Sequence, residues 1–123
     1  MLKIVAGGLD DPQVIRLLGI HFAWDGDDLL AVAAMKRLSH SHGEVKSMHT
    51  AEAVCRQGVG SAMLEHIIDV ARNRGIKQLS LKTGSWPFFQ PAVALYKRHG
   101  FLECPPFSDY KLDPNSIFMT RDV

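Results

Sequence analysis

The sequence predicts an α/β (α+β) fold, with a mixed sheet of about six to seven strands and about three helices packed on its faces. Short apolar or alternating segments, typical of strands, recur along the whole chain. Segments with helical spacing stand between some of them, and Gly, Pro and Asp residues mark the turns. The predicted order is strand, helix, three strands, helix, strand, helix and two strands.

Length and composition favour one small domain spanning residues 1–123. The 14 basic and 13 acidic residues nearly balance, which argues against a nucleic-acid partner. The longest apolar run falls short of the ~20 residues of a membrane helix, so no membrane partner is expected. The N-terminal apolar run is too short for a signal peptide. With two cysteines in no redox or metal spacing, we expect a cytoplasmic protein with reduced thiols.

The front of the chain predicts a strand, one helix and a hairpin. Asp10 or Asp11 can cap a helix that carries Pro12 in its first turn and ends near Gly19. The Asp-Gly pair at 25–26 is typical of a hairpin turn. The apolar face of this helix consists of Val14, Ile15, Leu17 and Leu18. The predicted strands are 2–5, 21–24 and 29–38.

The remainder predicts two amphipathic helices between strands. The first helix covers 58–74, and the second covers 91–99 with Gly100 as its C-terminal stop. The predicted strands are 44–50, 78–83, 101–104 and 116–120. Strict alternation in 44–50 would place Val45 and Ser47 on one face and Glu44, Lys46 and Met48 on the other.

Gly58 and Gly60 open the first of these two helices. The first N–H groups of a helix lack internal partners and lie at its positive end, and glycine lets an anion approach them closely. This stretch matches neither the Walker loop nor the dinucleotide fingerprint, because Ser61 stands where the first requires Lys and Met63 where the second requires Gly. The stretch is therefore either a phosphate-binding helix start or a simple tight turn.

Two histidines, His40 and His42, are the strongest metal candidates. No third ligand is placed near them by sequence, and the acidic loop 25–28 lacks calcium-loop spacing. We therefore expect no metal.

Two motifs stand in the second half of the chain. The first is Cys-x-x-Gly-x-Gly at 55–60, after a strand, and the second is Ala92-x-x-Leu95-Tyr96-x-x-x-Gly100-Phe101. Together they resemble the GNAT superfamily of acetyl-CoA-dependent N-acetyltransferases, and the segments 43–48, 79–85 and 113–120 resemble a small bacterial subgroup of it. The resemblance covers about residues 29–123 and implies a twisted, mostly antiparallel sheet that splays to hold acetyl-CoA. It also implies direct transfer without a covalent enzyme intermediate.

The resemblance implies a role for individual residues. Tyr96 corresponds to the tyrosine that protonates the departing thiolate. Glu44, 14 residues before Gly58, matches the glutamate base of the histone-acetylating branch. His49 is a weaker base candidate, because its strand parity differs from that of Glu44. The implied pyrophosphate site is Arg56, Gln57, Gly58, Val59, Gly60 and Ser61, and the implied pantetheine site is the backbone of Met48, His49 and Thr50.

The chain departs from the family pattern at three places. Cys55 stands where Arg or Gln is usual, and we expect Arg56 to compensate. Phe89 replaces an Asn that contacts the cofactor in many members. Between the first two strands, residues 11–23 have room for one helix where the family has two. The acceptor side should then expose apolar surface, which predicts a homodimer.

The leading hypothesis is an N-acetyltransferase acting on a primary amine of a small molecule or peptide. The alternative is a non-catalytic acyl-CoA-binding domain that has lost part of its acceptor site. A third, more distant reading is a metal- or nucleotide-binding regulator that uses His40 and His42. The sequence does not name the acceptor.

Overall fold

The computed structural model describes residues 2–7, 17–25, 28–50 and 58–123. The strands are β1 (Leu2–Gly7), β2 (Leu17–Asp25), β3 (Asp28–Arg37), β4 (His42–Thr50), β5 (Gln78–Gly84), β6 (Leu102–Glu103) and β7 (Ser116–Asp122). The helices are α1 (Val59–Asn73) and α2 (Gln90–Arg98), the latter preceded by a short 3-10 turn at Pro87–Phe89. Neither of these helices has the length and apolar character to cross a bilayer.

All seven strands form one sheet in the order β1-β2-β3-β4-β5-β7-β6. Among the pairings of these strands, β4 with β5 is parallel and the others are antiparallel. The α/β (α+β) class and the mixed, mostly antiparallel sheet are confirmed.

The sheet divides where β4 and β5 meet. His42–Val45 pair with Gln78–Leu81 in parallel register. Beyond these rungs β4 continues along β3 and β5 continues along β7, with no further rung between residues 46–50 and 82–84. The strands therefore part into an open cleft at their C-terminal ends, as the resemblance implied.

Helix α1 covers one face of the sheet, because its apolar residues recur every three to four positions. Its buried side chains are Met63, Leu64, Ile67, Ile68 and Ala71. They join one core with buried strand residues, among them Met35, Val45, Leu79, Leu81 and Met119. Burial of each large apolar side chain contributes about 1.5–3 kcal/mol, so this layer fixes where α1 begins.

The predicted first helix is wrong at its C-terminal end. Leu17 and Leu18 belong to β2, which pairs with β3 as far as Leu17 opposite Lys36. The hairpin ladder continues from Asp25 opposite Asp28 and holds both leucines in extended backbone. The rest of that prediction, residues 10–16, lies outside the described residues. Strand β1 ends at Gly7, so the interval before β2 is the nine residues 8–16.

Candidate active site

The N-terminus of α1 begins at a glycine in an unusual backbone conformation. Gly58 adopts the left-handed conformation, with φ of 80°, which a residue without a side chain accepts readily. Among the described residues, the helical ladder begins with the Ala62 N–H donating to the Gly58 carbonyl at 3.0 Å. Within the part of the chain that the structure describes, no side chain caps the helix, and its first turn has no acidic residue. The N–H groups of Val59, Gly60 and Ser61 therefore lie at the positive end of α1.

The side chain of Ser61 is already engaged. Its hydroxyl lies 2.5 Å from Nε2 of His99, just beyond the C-terminal end of α2. The carbonyl of His99 in turn accepts a hydrogen bond from Arg121 of β7. These contacts fix the start of α1 against the end of α2, and they leave the backbone N–H of Ser61, rather than its hydroxyl, as the group for an anion.

Strand β4 carries a β-bulge on its arm of the cleft. Ala34 pairs with Lys46 but Val32 pairs with His49, so β4 has one residue more than β3 in this interval. A bulge leaves backbone groups out of the ladder. The extra residue also means that alternation counted from Glu44 does not extend to His49. The parity argument against His49 is therefore wrong. Met48 lies at the bulge and is half-buried.

Tyr96 lies in the core on the α1 side of the sheet. It is 8% exposed, and its ring meets Phe101 edge-on at a centroid distance of 6.0 Å. Burial raises the pKa of Tyr96, which keeps the phenol protonated. Within the described part of the chain its hydroxyl has no hydrogen-bond partner. An unsatisfied buried hydroxyl costs free energy, so a hydrogen bond from this hydroxyl to a ligand atom would be favourable.

Glu44 lies on β4 with its carboxylate in the protein interior. It is 3% exposed, and Oε2 accepts a hydrogen bond of 2.6 Å from the Tyr110 hydroxyl. Nζ of Lys46 lies 3.5 Å from the same hydroxyl, and Nζ of Lys82 lies 4.9 Å from the centre of the Tyr110 ring. A buried carboxylate is thus held by one phenol that two ammonium groups flank.

Sequence reasoning missed Tyr110. It lies 66 residues after Glu44, on an irregular segment between β6 and β7. Its ring packs edge-on against Phe107 at 5.3 Å and also contacts Phe118. The available indication was weak: one of the chain's two tyrosines stands in a Pro- and Phe-containing stretch.

The environment of Tyr110 holds its proton firmly. Burial, the hydrogen bond to Glu44 and the negative charge of Glu44 together raise the pKa of Tyr110 to about 12. Tyr110 is therefore a neutral donor at physiological pH, and its proton is directed at the carboxylate.

His42 forms a hydrogen bond within the sheet. Nε2 of His42 lies 2.7 Å from the hydroxyl of Ser80, which lies 2.9 Å from that of Thr120. Burial lowers the pKa of His42, and the charge of Glu44 opposes that shift. The part of the chain that the structure describes holds no group of three or more His, Cys, Asp or Glu residues arranged for a metal ion.

Phe89 packs against the end of β5. A Cβ on Gly84, the last residue of β5, would lie 2.1 Å from the ring of Phe89, so the ring packs directly on the glycine backbone. The position where many family members have Asn thus carries an aromatic ring. Gly84 has no side chain, which leaves room for that ring.

The described site residues that the sequence predicts lie on β4, at the start of α1 and on α2. Glu44 alternates with Val45, which shares a core cluster with Tyr96, so Glu44 and Tyr96 lie on opposite faces of the sheet. Gly58, Val59, Gly60 and Ser61 form the start of α1. Met48, His49 and Thr50 end β4. Arg56 and Gln57, like Cys55, lie outside the described residues.

A splayed β4–β5 pair that is followed by an uncapped glycine turn and helix is the arrangement expected from the sequence resemblance. The family model for the acetyltransferase (GNAT) family matches residues 8–101. The chain belongs to the GNAT family. Membership fixes the reaction class as acetyl transfer, with acetyl-CoA as the family's donor.

Relatives agree with this GNAT assignment. The chain is 50% identical to the uncharacterized N-acetyltransferase YsnE of Bacillus subtilis, over 94% of this chain and 83% of the relative. It is 46% identical to the uncharacterized N-acetyltransferase YedL of Escherichia coli, over 89% of this chain and 70% of the relative. The fold matches a GNAT acetyltransferase of Elizabethkingia anophelis with acetyl-CoA bound. That match has a TM-score of 0.78 and 18% identity, over 99% of this chain and 98% of the other.

Proposed function

We propose that this GNAT protein transfers acetyl from acetyl-CoA to a primary amine of a small molecule or peptide by direct attack of the amine on the thioester. The observation that carries the proposal is the divergence of β4 and β5, with the glycine start of α1 after β4 in the chain and Glu44 and Tyr96 on opposite faces of the sheet. The non-catalytic alternative needs the cleft but not the buried Glu44–Tyr110 pair, nor a Tyr96 hydroxyl that has no partner among the described residues.

The cofactor would bind through backbone groups. The pyrophosphate sits at the N–H groups of Val59, Gly60 and Ser61, because the helix start concentrates donors and partial positive charge there. Arg56 and Gln57 precede this turn in sequence and complete the proposed site. The pantetheine arm runs along Met48–Thr50, where the bulge removes β4 from regular pairing.

Glu44 and Tyr96 have different acid–base roles in the proposed reaction. The acceptor amine approaches from the Glu44 face, and its lone pair attacks the thioester carbon. Glu44 is the base that accepts one proton from the acceptor ammonium before the attack. The tetrahedral intermediate then expels the CoA thiolate toward the other face, where the Tyr96 hydroxyl donates its proton to the sulfur. The second proton, which the nitrogen loses as the amide forms, restores the Tyr96 hydroxyl, and Glu44 releases its proton to solvent.

Calorimetry with acetyl-CoA, followed by thiol release with a panel of primary amines, tests this function. We expect heat on mixing with acetyl-CoA, and amine-dependent appearance of the CoA thiol with at least one acceptor. Binding without turnover on any amine would favour the non-catalytic alternative. No binding at all would contradict both readings.

We also propose a cytoplasmic homodimer. The interval between β1 and β2 is short, and several large apolar side chains in the described part of the chain stay exposed, including Trp86 at 61% and Phe88 at 83%. Such surface is often covered by a partner subunit. Sedimentation equilibrium should give twice the 13.7 kDa mass of one chain; the mass of a single chain would contradict the dimer.

A further inference from the structure

The proposed base has little access to the acceptor. Glu44 is 3% exposed, whereas Tyr110 lines a cavity of about 420 Å³. The other residues around this cavity include Lys82, Ser116 and Phe118, but not Glu44. The group that an incoming amine meets is therefore the Tyr110 phenol, and the carboxylate lies directly behind it.

We propose that the Tyr110 hydroxyl, rather than the Glu44 carboxylate, takes the proton from the acceptor ammonium and passes its own proton to Glu44. The inference rests on the proposed function, in which Glu44 is the base. It makes Tyr110 a catalytic residue that touches the acceptor nitrogen, and it makes Glu44 the terminal proton acceptor.

The step balances without a further reactant. An N–H bond of the acceptor ammonium breaks as a new O–H bond forms at Oη of Tyr110. The original Oη–H bond breaks, and its proton moves along the existing 2.6 Å hydrogen bond to Oε2 of Glu44. Tyr110 is neutral before and after, Glu44 becomes a neutral carboxylic acid, and the amine gains its free lone pair. Glu44 returns this proton to solvent after the product leaves.

The surrounding charges favour loss of the proton from the acceptor ammonium. Lys46 contributes an ammonium group 3.5 Å from the phenol oxygen, and Lys82 contributes another 4.9 Å from its ring centre. Among the residues that the structure describes, neither lysine forms an ion pair with a carboxylate. A third positive charge at the acceptor nitrogen is thus repelled, which favours loss of its proton. Among the described residues, the other titratable groups beside this cluster are His42, which lies near Phe107, and Asp109, Lys111 and Asp113, which line the cavity.

Three variants test the relay: Tyr110→Phe, Glu44→Gln and the double variant, each followed as kcat/KM against pH. We expect each single variant to lose about 10²- to 10⁴-fold near neutral pH and the double variant to lose no more. The loss should shrink as pH rises toward the pKa of the free amine, because solution then supplies the deprotonated acceptor. Tyr110→Phe with the wild-type rate and pH profile would overturn the relay, and so would multiplicative losses in the double variant.

Phe107→Leu is the matched control. Phe107 packs against the Tyr110 ring but has no hydroxyl, so its truncation disturbs the same segment without breaking the proton path. We expect its pH profile to keep the wild-type shape. A profile like that of Tyr110→Phe would mean that the segment, rather than the hydroxyl, matters, and would overturn the relay.

Two further measurements do not depend on the folding of Tyr110→Phe. In wild-type protein, a concerted relay moves two protons, so the rate plotted against deuterium fraction should curve, and a straight line would contradict it. In Glu44→Gln, the ultraviolet titration of Tyr110 should move down from about 12, and an unmoved midpoint would contradict the contact.

Because the pKa of Tyr110 is raised in the folded protein, the stabilisation from this phenol is complete below pH ~10 and is lost as pH rises toward 12.

The failures are distinguishable. If wild-type protein releases no CoA with any amine, the proposed function and the relay fail together. If wild-type protein turns over and Tyr110→Phe matches it, the relay alone is wrong and Glu44 reaches the acceptor directly.

Discussion

We expect Tyr96→Phe to lose about 10²- to 10⁴-fold in kcat while acetyl-CoA still binds, because the change removes only the proton donor for the departing thiolate. The buried ring remains in contact with Phe101. The hydroxyl that is lost has no partner in the described part of the chain, so the free energy of unfolding should not fall. Steady-state thiol release, calorimetry and chemical denaturation together check this result.

The same variant separates the two tyrosines of the chain. Tyr96→Phe should slow departure of the sulfur, so the loss in kcat should be smaller with an acyl donor whose thiol is more acidic. The effect of Tyr110→Phe should not depend on the leaving group. Unchanged turnover in Tyr96→Phe would mean that the acid assignment is wrong even though the family is correct.

We expect Gly58→Val to weaken acetyl-CoA binding by about 10- to 100-fold. Gly58 has a φ of 80°, and a β-branched residue held there carries about 1–3 kcal/mol of strain. Relief of that strain moves the turn away from the conformation that presents the first N–H groups of α1. Calorimetry with acetyl-CoA gives the change in Kd.

Gly75→Val is a closely matched control for that experiment. Gly75 follows the other end of α1, has a φ of 77°, and, like Gly58, has open space where a Cβ would stand. Both variants should lose similar unfolding free energy, but only Gly58→Val should lose affinity. Equal loss of affinity in the two would show that general destabilisation, and not the turn, is responsible.

Much of the fold follows from short stretches of sequence. Gly75 and Gly100 adopt positive φ just after the two helices, where their sequence positions predict helix ends. The apolar spacing in α1 predicts its buried face, since tertiary packing there agrees with local periodicity. The glycine turn and the tyrosine motif also gave the family and the predicted cofactor contacts.

The failures lie where pairing between strands decides the structure. Leu17 and Leu18 satisfy a helical pattern equally well, but the hairpin ladder with β3 determines their backbone. The bulge in β4 depends on its register with β3, which no local pattern contains. Tyr110 reaches Glu44 only because the segment after β6 folds back over the sheet, so this contact was invisible from spacing.

The short parallel pairing of β4 with β5 has a mechanical consequence. Four rungs form the seam between a half-sheet of β1 to β4 and a half-sheet of β5, β7 and β6. If acetyl-CoA binds beyond these rungs, as proposed, its amide-containing arm would hydrogen-bond to the main chain of the diverging strands and so connect the two half-sheets. Binding at a hundred times Kd would then add about 2.7 kcal/mol to the free energy of unfolding. We therefore expect the acetyl-CoA complex to resist unfolding more than the free protein does.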